Sequence, residues 1–477
     1  MRIASRLALL LLITSGCGSH SERAAPAASR EAKALVSTAI HTTVATRQVG
    51  GQAKTGAATF FVAAAGSSTA VKMRANYVCD GQDDHLQIQA AIDALSNQTG
   101  ARFDVSGGVV ELSAGAFHLG AAIHCRDKVV SLIGAGMGSS ELALQDGVND
   151  DILVVGTGTK QGWQSGRIAQ LSLNGNGEAQ ARGSGIRVLA GLRLSIEDVH
   201  VYDCKETGIF LQGLSAVVRP AIGTIENCHI GYNQKHGVHI GAGIEGWILR
   251  GNRINDNGTH GQPYHGVYIE AIHGKVESGP AGAANAFIIA NNVLWQNRAV
   301  QICINGGGYG GAHIVISGNV MLSSPLENIK LYAGTHLVSI TGNSIHSASE
   351  SQIGAAPHIT LEDASHCTIS ANVFSSPSRG LPSPAMIAAG AEPGKVVAVP
   401  GPAGILIEKG RANHNRFIGN TIAGEVTAVI LVGKNSVSDQ EASDQEASEQ
   451  EASEQEASEQ EASGQEASGQ GPDPGQK

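Results

Sequence analysis

The sequence predicts an all-β chain, a solenoid of stacked parallel strands, and three observations carry that prediction. A beat recurs: a large apolar residue, two others, Asn, one more, and an apolar residue again. It reads Leu249…Asn252…Ile254, Ile289…Asn292…Leu294, Ile316…Asn319…Met321, Ile340…Asn343…Ile345, Ile369…Asn372…Phe374 and Phe417…Asn420…Ile422. Looser copies stand at Ile196–Asp198 and Ile225–Asn227, and successive Asn/Asp spacings are 29, 25, 40, 27, 24, 29 and 48 residues. Periods of about 20–50 residues mean stacked units, none able to bury its apolar face alone. Between the beats lies a second strand of strict alternation, such as Val238-His239-Ile240, Val267-Tyr268-Ile269 and Ile359-Thr360-Leu361. Period two turns Ile and Val inward and the residue between them outward. Finally, aromatics are scarce (4%) and glycine abundant (62 residues), which suits narrow coils with many corners.

Each unit therefore holds two or three short strands, winds once, and adds about 4.8 Å along the axis. Asn at a corner fits because its side chain tolerates left-handed backbone and bonds locally. Stacked like for like, the asparagines form a ladder. No interleaved helix is visible, so alternating β/α folds fit poorly. The expectation is a right-handed single-stranded parallel β-helix with a short N-terminal capping helix. That helix is read in Asp83–Leu95, with Asp83 or Asp84 as N-cap and Leu86, Ile88, Ile92 and Leu95 as its apolar side. The stretch before it, Leu35–Lys72, reads as a lead-in strand or two around Thr59-Phe60-Phe61-Val62.

Four segments follow along the chain. Residues 1–16 read as a signal peptide, with Arg2 and Arg6 ahead of the apolar run Leu7–Ile13. Thr14-Ser15-Gly16-Cys17 resembles a lipoprotein cleavage box, so Cys17 is the expected lipidation site and 17–34 a tether. The β-helix with its cap spans 35–437, and 438–477 is an acidic low-complexity tail with a five-residue period, expected to be disordered. The formal charge of −10 resides in that tail: it holds twelve Asp/Glu against one Lys, leaving about +1 for the rest. A nearly neutral body has no field for nucleic acid. After the N-terminus no run is long and apolar enough to span a membrane, so membrane contact is expected through the lipid anchor alone. Of the other cysteines, 79, 125, 204, 228, 303 and 367, the first two form a candidate disulfide over the first turns. The rest read as small buried apolar residues.

Asp83 through Ile92, Gly107-Gly108-Val109-Val110 and Ser131-Leu132-Ile133-Gly134-Ala135-Gly136 resemble the N-terminal part of pectate-lyase-superfamily β-helix proteins. The resemblance covers about Asn76–Val432 and implies the fold, with no single reaction class. It implies no catalytic residue either: the polygalacturonase set is echoed only in part at Thr259-His260-Gly261 and Asn328-Ile329-Lys330. The Asp-Pro-His signature of alginate epimerases is absent, as is the aspartate run of a pectate-lyase calcium site.

Aligning the alternating strands gives an outward row of Arg187, Phe210, His239, Tyr268, Cys303, Lys330, Thr360 and Leu406. Two residues further runs Leu189, Gln212, Gly241, Glu270, Asn305, Tyr332, Glu362 and Glu408. Rungs about 5 Å apart let equivalent side chains act together. The candidate catalytic residues are His239, Tyr268 and Lys330, and the candidate substrate-binding residues are His236, His265, Glu270, Asn305, Tyr332 and Glu362. Aromatics that stack on sugar rings, mixed with groups that bond hydroxyls, suit a polysaccharide. The leading expectation is an exported enzyme that cleaves acidic (uronate) polysaccharide by β-elimination. A base then takes the C5 proton, and a side-chain cation or calcium balances the carboxylate. Hydrolysis needs two facing carboxylates, and Glu270 and Glu362 stand about three rungs apart. The alternative is a non-catalytic carbohydrate-binding or cell-surface structural protein, since outward strand residues are polar in any case. His236 and His265, each beside a glycine, also read as corner residues held by backbone bonds. Monomer and trimer remain equally open.

Overall fold

The computed structural model describes residues 58–439 except 96–106, 127–128, 157–165, 214–219, 243, 260–261, 271–284, 308–311, 351–355, 377–378, 381–396, 399–403 and 425–428. The expected signal peptide, tether, Cys17 and nearly all of the tail lie outside these residues. So does most of two long segments that interrupt the repeat, Glu270–Asn285 and Ser375–Gly404.

The described residues form one compact unit, and its strands wind as the repeat predicts. One coil shows the plan. Ile248–Arg250, a corner at Gly251-Asn252, Arg253–Asn255, a second corner, then Val267–Glu270 complete a turn. Corresponding strands of successive coils pair in parallel, as in Ile225↔Leu249, Leu249↔Ile289, Ile289↔Ile316 and Ile316↔Ile340. The third strands make an eleven-stranded sheet from Ile123–Cys125 to Val429–Ile430. Inward residues stack like on like: Leu249, Ile254, Val267 and Ile269 are fully buried, as are their equivalents above and below. Each such aliphatic contributes about 1.5–3 kcal/mol by leaving water. Among the described residues the antiparallel pair is Arg379–Gly380 with Val397–Ala398, inside the second long insertion.

The asparagine ladder exists and is buried. Asn252, Asn292, Asn319, Asn343 and Asn372 are each at most 1% exposed. Each side-chain amide donates to the next asparagine's Oδ1 at 2.9–3.0 Å and to a core-strand carbonyl at 2.9–3.0 Å. The local reason expected for these residues is corrected. The left-handed residue is the one before: Gly251, Asn291, Gly318, Gly342, Ala371 and Gly419, with φ between 54° and 66°. The looser copies Asp198 and Asn227 occupy that preceding position (φ 53° and 54°). The ladder therefore starts at Cys228, whose N–H donates to Asn252 Oδ1. Asparagine stands at these corners because a buried amide both gives and takes bonds along the axis.

The expected lead-in strand belongs to the stack: Ala58–Ala63 pairs with Gly107–Leu112, which pairs with Val129–Ile133. The N-terminal end differs from expectation in three ways. Among the described residues two α-helices are present, not one. Thr69–Arg74 starts at Ser68, whose Oγ accepts from Val71 N, and buries no residue, so hydrophobic periodicity could not reveal it. In the capping helix His85–Ala94, the residues that face the core are Ile88, Ala91 and Ile92, continued by Leu95 just past its end. Leu86, two residues from Ile88 and so on another face, is 42% exposed. Asp84 is fully buried and accepts from Gly81 N at 2.9 Å and His118 N at 2.8 Å, tying the cap to the first coils. Cys79 and Cys125 are buried free thiols, so the candidate disulfide is not formed. Cys79 lies against the Asp84 carbonyl at the cap, while Cys125 ends the first strand of the eleven-stranded sheet.

Candidate functional site

The outward row expected on the alternating strands is built as read over seven rungs: Arg187↔Phe210↔His239↔Tyr268↔Cys303↔Lys330↔Thr360. The next row holds Glu270↔Asn305↔Tyr332↔Glu362. At the following rung the register slips from the expected one. Thr360 pairs with Ile407 and Glu362 with Lys409, so Leu406 and Glu408 point inward. Glu408 is 2% exposed and accepts from Asn415 Nδ2, Ser436 Oγ and the Val432 and Gly433 N–H groups. Those four bonds make a buried carboxylate tolerable.

All nine candidate residues come together on this face. The Tyr268 ring is the hub: His236 stacks on it at 4.8 Å, and His239 and His265 lie at 5.1 and 5.3 Å between ring centroids. His239 stacks on Phe210 at 4.5 Å, and Arg187 sits over Phe210 in turn. His239 Nε2 bonds Glu270 Oε2 at 3.0 Å. The Tyr268 and Tyr332 hydroxyls are 3.4 Å apart, and Asn305 Nδ2 donates to the Tyr268 hydroxyl at 3.5 Å. Lys330 Nζ lies 3.2 Å from Glu362 Oε2 and 5.5 Å from the Tyr332 ring centroid.

His236 and His265 do what the corner reading expected. His236 Nδ1 accepts from His265 N, and His265 Nδ1 accepts from Val300 N. Both rings are 8% exposed. Burial first, and then neighbouring imidazoles and lysines, push their pKa values down to about 2 and about 3. They stay neutral and present an apolar, aromatic wall. Tyr332 is pushed well above the ordinary phenol range, chiefly by burial and then by its bond to Tyr268, so it acts as a donor. Cys303, in the outward row, is 2% exposed, and burial raises its thiol far above the usual range. It is packing, not a nucleophile.

Two features escaped the sequence reading. Glu327 is 8% exposed and accepts from the Thr360 hydroxyl at 3.1 Å. It precedes its strand by two residues, as His236 and His265 precede theirs, and that offset was the available signal. The second is another buried asparagine ladder, Asn233→Asn257→Asn297, at the corner leading into the site strands. Its members follow Cys228, Asn252 and Asn292 by five residues each. The amides donate to carbonyls of Val201, Ile230 and Ile254, pinning the corner that presents His236 and His239. Among the described residues no three His, Cys, Asp or Glu side chains converge in a way that could hold a metal ion. The positive group beside Glu362 is Lys330.

Fold and face together define a right-handed parallel β-helix with an aromatic, titratable strip along one sheet, consistent with the resemblance to pectate-lyase-superfamily proteins. Residues 160–277, about a quarter of the chain, match the family described as "Right handed beta helix region". No curated protein matches the sequence. Among solved structures, the chain is similar to the Azotobacter vinelandii mannuronan C-5 epimerase AlgE6 A-module, at 18% identity and TM-score 0.54, covering 75% of this chain and 95% of that one. The AlgE4 A-module of the same organism is similar at 20% identity and TM-score 0.51, with 75% and 96% covered. DFA-IIIase from Arthrobacter chlorophenolicus A6, without its lid and in complex with GF2, is similar at 12% identity and TM-score 0.52, with 76% and 91% covered. At these identities the likeness is one of fold.

Proposed function

We propose that the protein is carbohydrate-active and cleaves acidic polysaccharide by β-elimination at a uronate residue. The observation that carries this reading is the His239–Glu270 pair at 3.0 Å beside the Tyr268 hydroxyl, with Lys330 two rungs along. With Nε2–H donated to Glu270, His239 keeps Nδ1 free to take the C5 proton, and Glu270 holds the ring and steadies its charge. Lys330 pairs with the uronate carboxylate as the carbanion's charge spreads onto it. The electron pair left at C5 forms the C4–C5 double bond, the C4–O4 bond breaks, and the departing oxygen takes the Tyr268 proton. His236, His265 and Tyr332 line the floor, while Asn305 and Glu362 reach the sugar hydroxyls. Two of the proteins similar in fold are named for C5 chemistry on mannuronan, a uronate polymer, which supports the substrate class.

Incubation with a panel of uronate polymers should release unsaturated ends, followed by their absorbance. His239→Ala and Lys330→Ala should each abolish that signal, and Lys330→Ala should leave the melting temperature nearly unchanged, because its single half-exposed ion pair contributes about 0–1 kcal/mol. Active variants would refute the assignment. Retained binding without turnover in the wild type would favour a non-catalytic carbohydrate-binding or cell-surface role, the reading suited to a face whose polar groups already satisfy one another. Export with Cys17 lipidated belongs to the same proposal. The mature protein should begin at an acylated Cys17 by mass spectrometry, and cleavage elsewhere refutes it.

A further inference from the structure

The face carries a pattern the reaction does not use: its cations are met by carboxylates from neighbouring rungs. Arg187 holds Asp151 through two bonds and lies 3.7 Å from Glu206, which also accepts from Lys235 at 2.6 Å. Those contacts are short, multiple and partly buried. The Lys330–Glu362 pair is different. It has one contact of 3.2 Å, and its side chains are 30% and 45% exposed. Such a pair contributes little, about 0–1 kcal/mol in measured cases, so a competing carboxylate can replace it at small cost. Glu362 sits one rung beyond Lys330 on the same face, so its carboxylate already stands against the ammonium assigned to the substrate.

We infer that Glu362 is an internal counter-carboxylate. It occupies Lys330 in the resting protein, and a uronate carboxylate displaces it, whereas a neutral sugar has nothing to exchange. This makes Glu362 the residue that sets how tightly acidic polymer is held, and the inference rests on the proposed role of Lys330. Without Glu362, Lys330 is free and acidic polymer no longer has to compete for it.

The test uses the full chain and two readouts. Brief acylation of lysines, quantified by mass spectrometry, should label Lys330 several-fold faster in Glu362→Gln than in the wild type when no polymer is present. Polygalacturonate should protect Lys330 in both proteins. It should bind Glu362→Gln up to about five-fold tighter, the limit set by an exposed pair. Binding of amylose, a neutral polymer, should not change, and Lys330→Gln/Glu362→Gln should bind like Lys330→Gln. Glu206→Gln, which removes the same charge several rungs away, controls for the general field. Equal tightening by Glu206→Gln overturns the inference. So does equal Lys330 labelling in wild type and Glu362→Gln, even if uronate polymers are cleaved. Faster labelling in Glu362→Gln with no acidic polymer bound by either protein instead fails the uronate reading of the site, and the inference falls with it.

Discussion

Replacing Asn319 by Ala removes the middle of the buried ladder, and the structure sets the cost. The side chain donates to Ile289 O and Asn343 Oδ1, and its Oδ1 accepts from the Asn292 backbone and side-chain N–H groups, all at 2.9 Å. Alanine keeps none of the four, and the site is fully buried, so water cannot replace them. At about 1 kcal/mol net for each bond, with more where a buried partner is left unpaired, the loss should be roughly 4 kcal/mol. That is a large share of a stability of about 5–15 kcal/mol. Asn420→Ala, at the ladder's last rung and 8% exposed, should cost less because solvent can reach the freed groups. Urea unfolding followed by far-ultraviolet circular dichroism measures both. A loss under about 1 kcal/mol for Asn319→Ala, or equal losses at the two positions, would refute the claim that buried amides hold these corners.

Stability should also fall with acid. Burial pushes His236, His265, His358 and His200 down to about 2, 3, 3 and 4, so between these values and the ordinary 6.5 the unfolded chain binds more protons than the native one. The stabilisation is complete above about pH 6.5 and drains away as pH falls through the range below it. Melting temperatures across pH 4–8 should show this, with a shallower slope for His358→Asn; a flat profile contradicts the burial argument. At Gly223 an added Cβ would lie 2.5–2.7 Å from three ring carbons of the buried Trp247. Gly223→Ala should therefore cost about 1–3 kcal/mol by overpacking, read as a lower urea midpoint.

The candidate face was legible because alternation fixes which residues point out, and the rung spacing then brings His239, Tyr268, Lys330 and their neighbours together. It stayed legible only while each strand offered one register. At Ile405-Leu406-Ile407 three apolar residues run together after a long insertion, so either alternation fits. The bonds that Glu408 receives from inside decide for the one that buries Leu406. Glu327 was missed for another reason: it lies at a corner, outside the two-residue period, where its offset from the strand, shared with His236 and His265, is the mark.

The sequence by itself determined the coil, its parallel stacking and its polar strip, because period-two burial and a recurrent amide each repeat often enough to admit one fold. The tertiary structure alone decided which residue at a corner turns the chain and which bonds along the axis, since both are small and polar and differ only in backbone angle. It also decided where the Thr69–Arg74 helix sits and which carboxylate meets which cation. Those choices depend on partners from other coils, 24 to 48 residues away along the chain, and no local pattern records them.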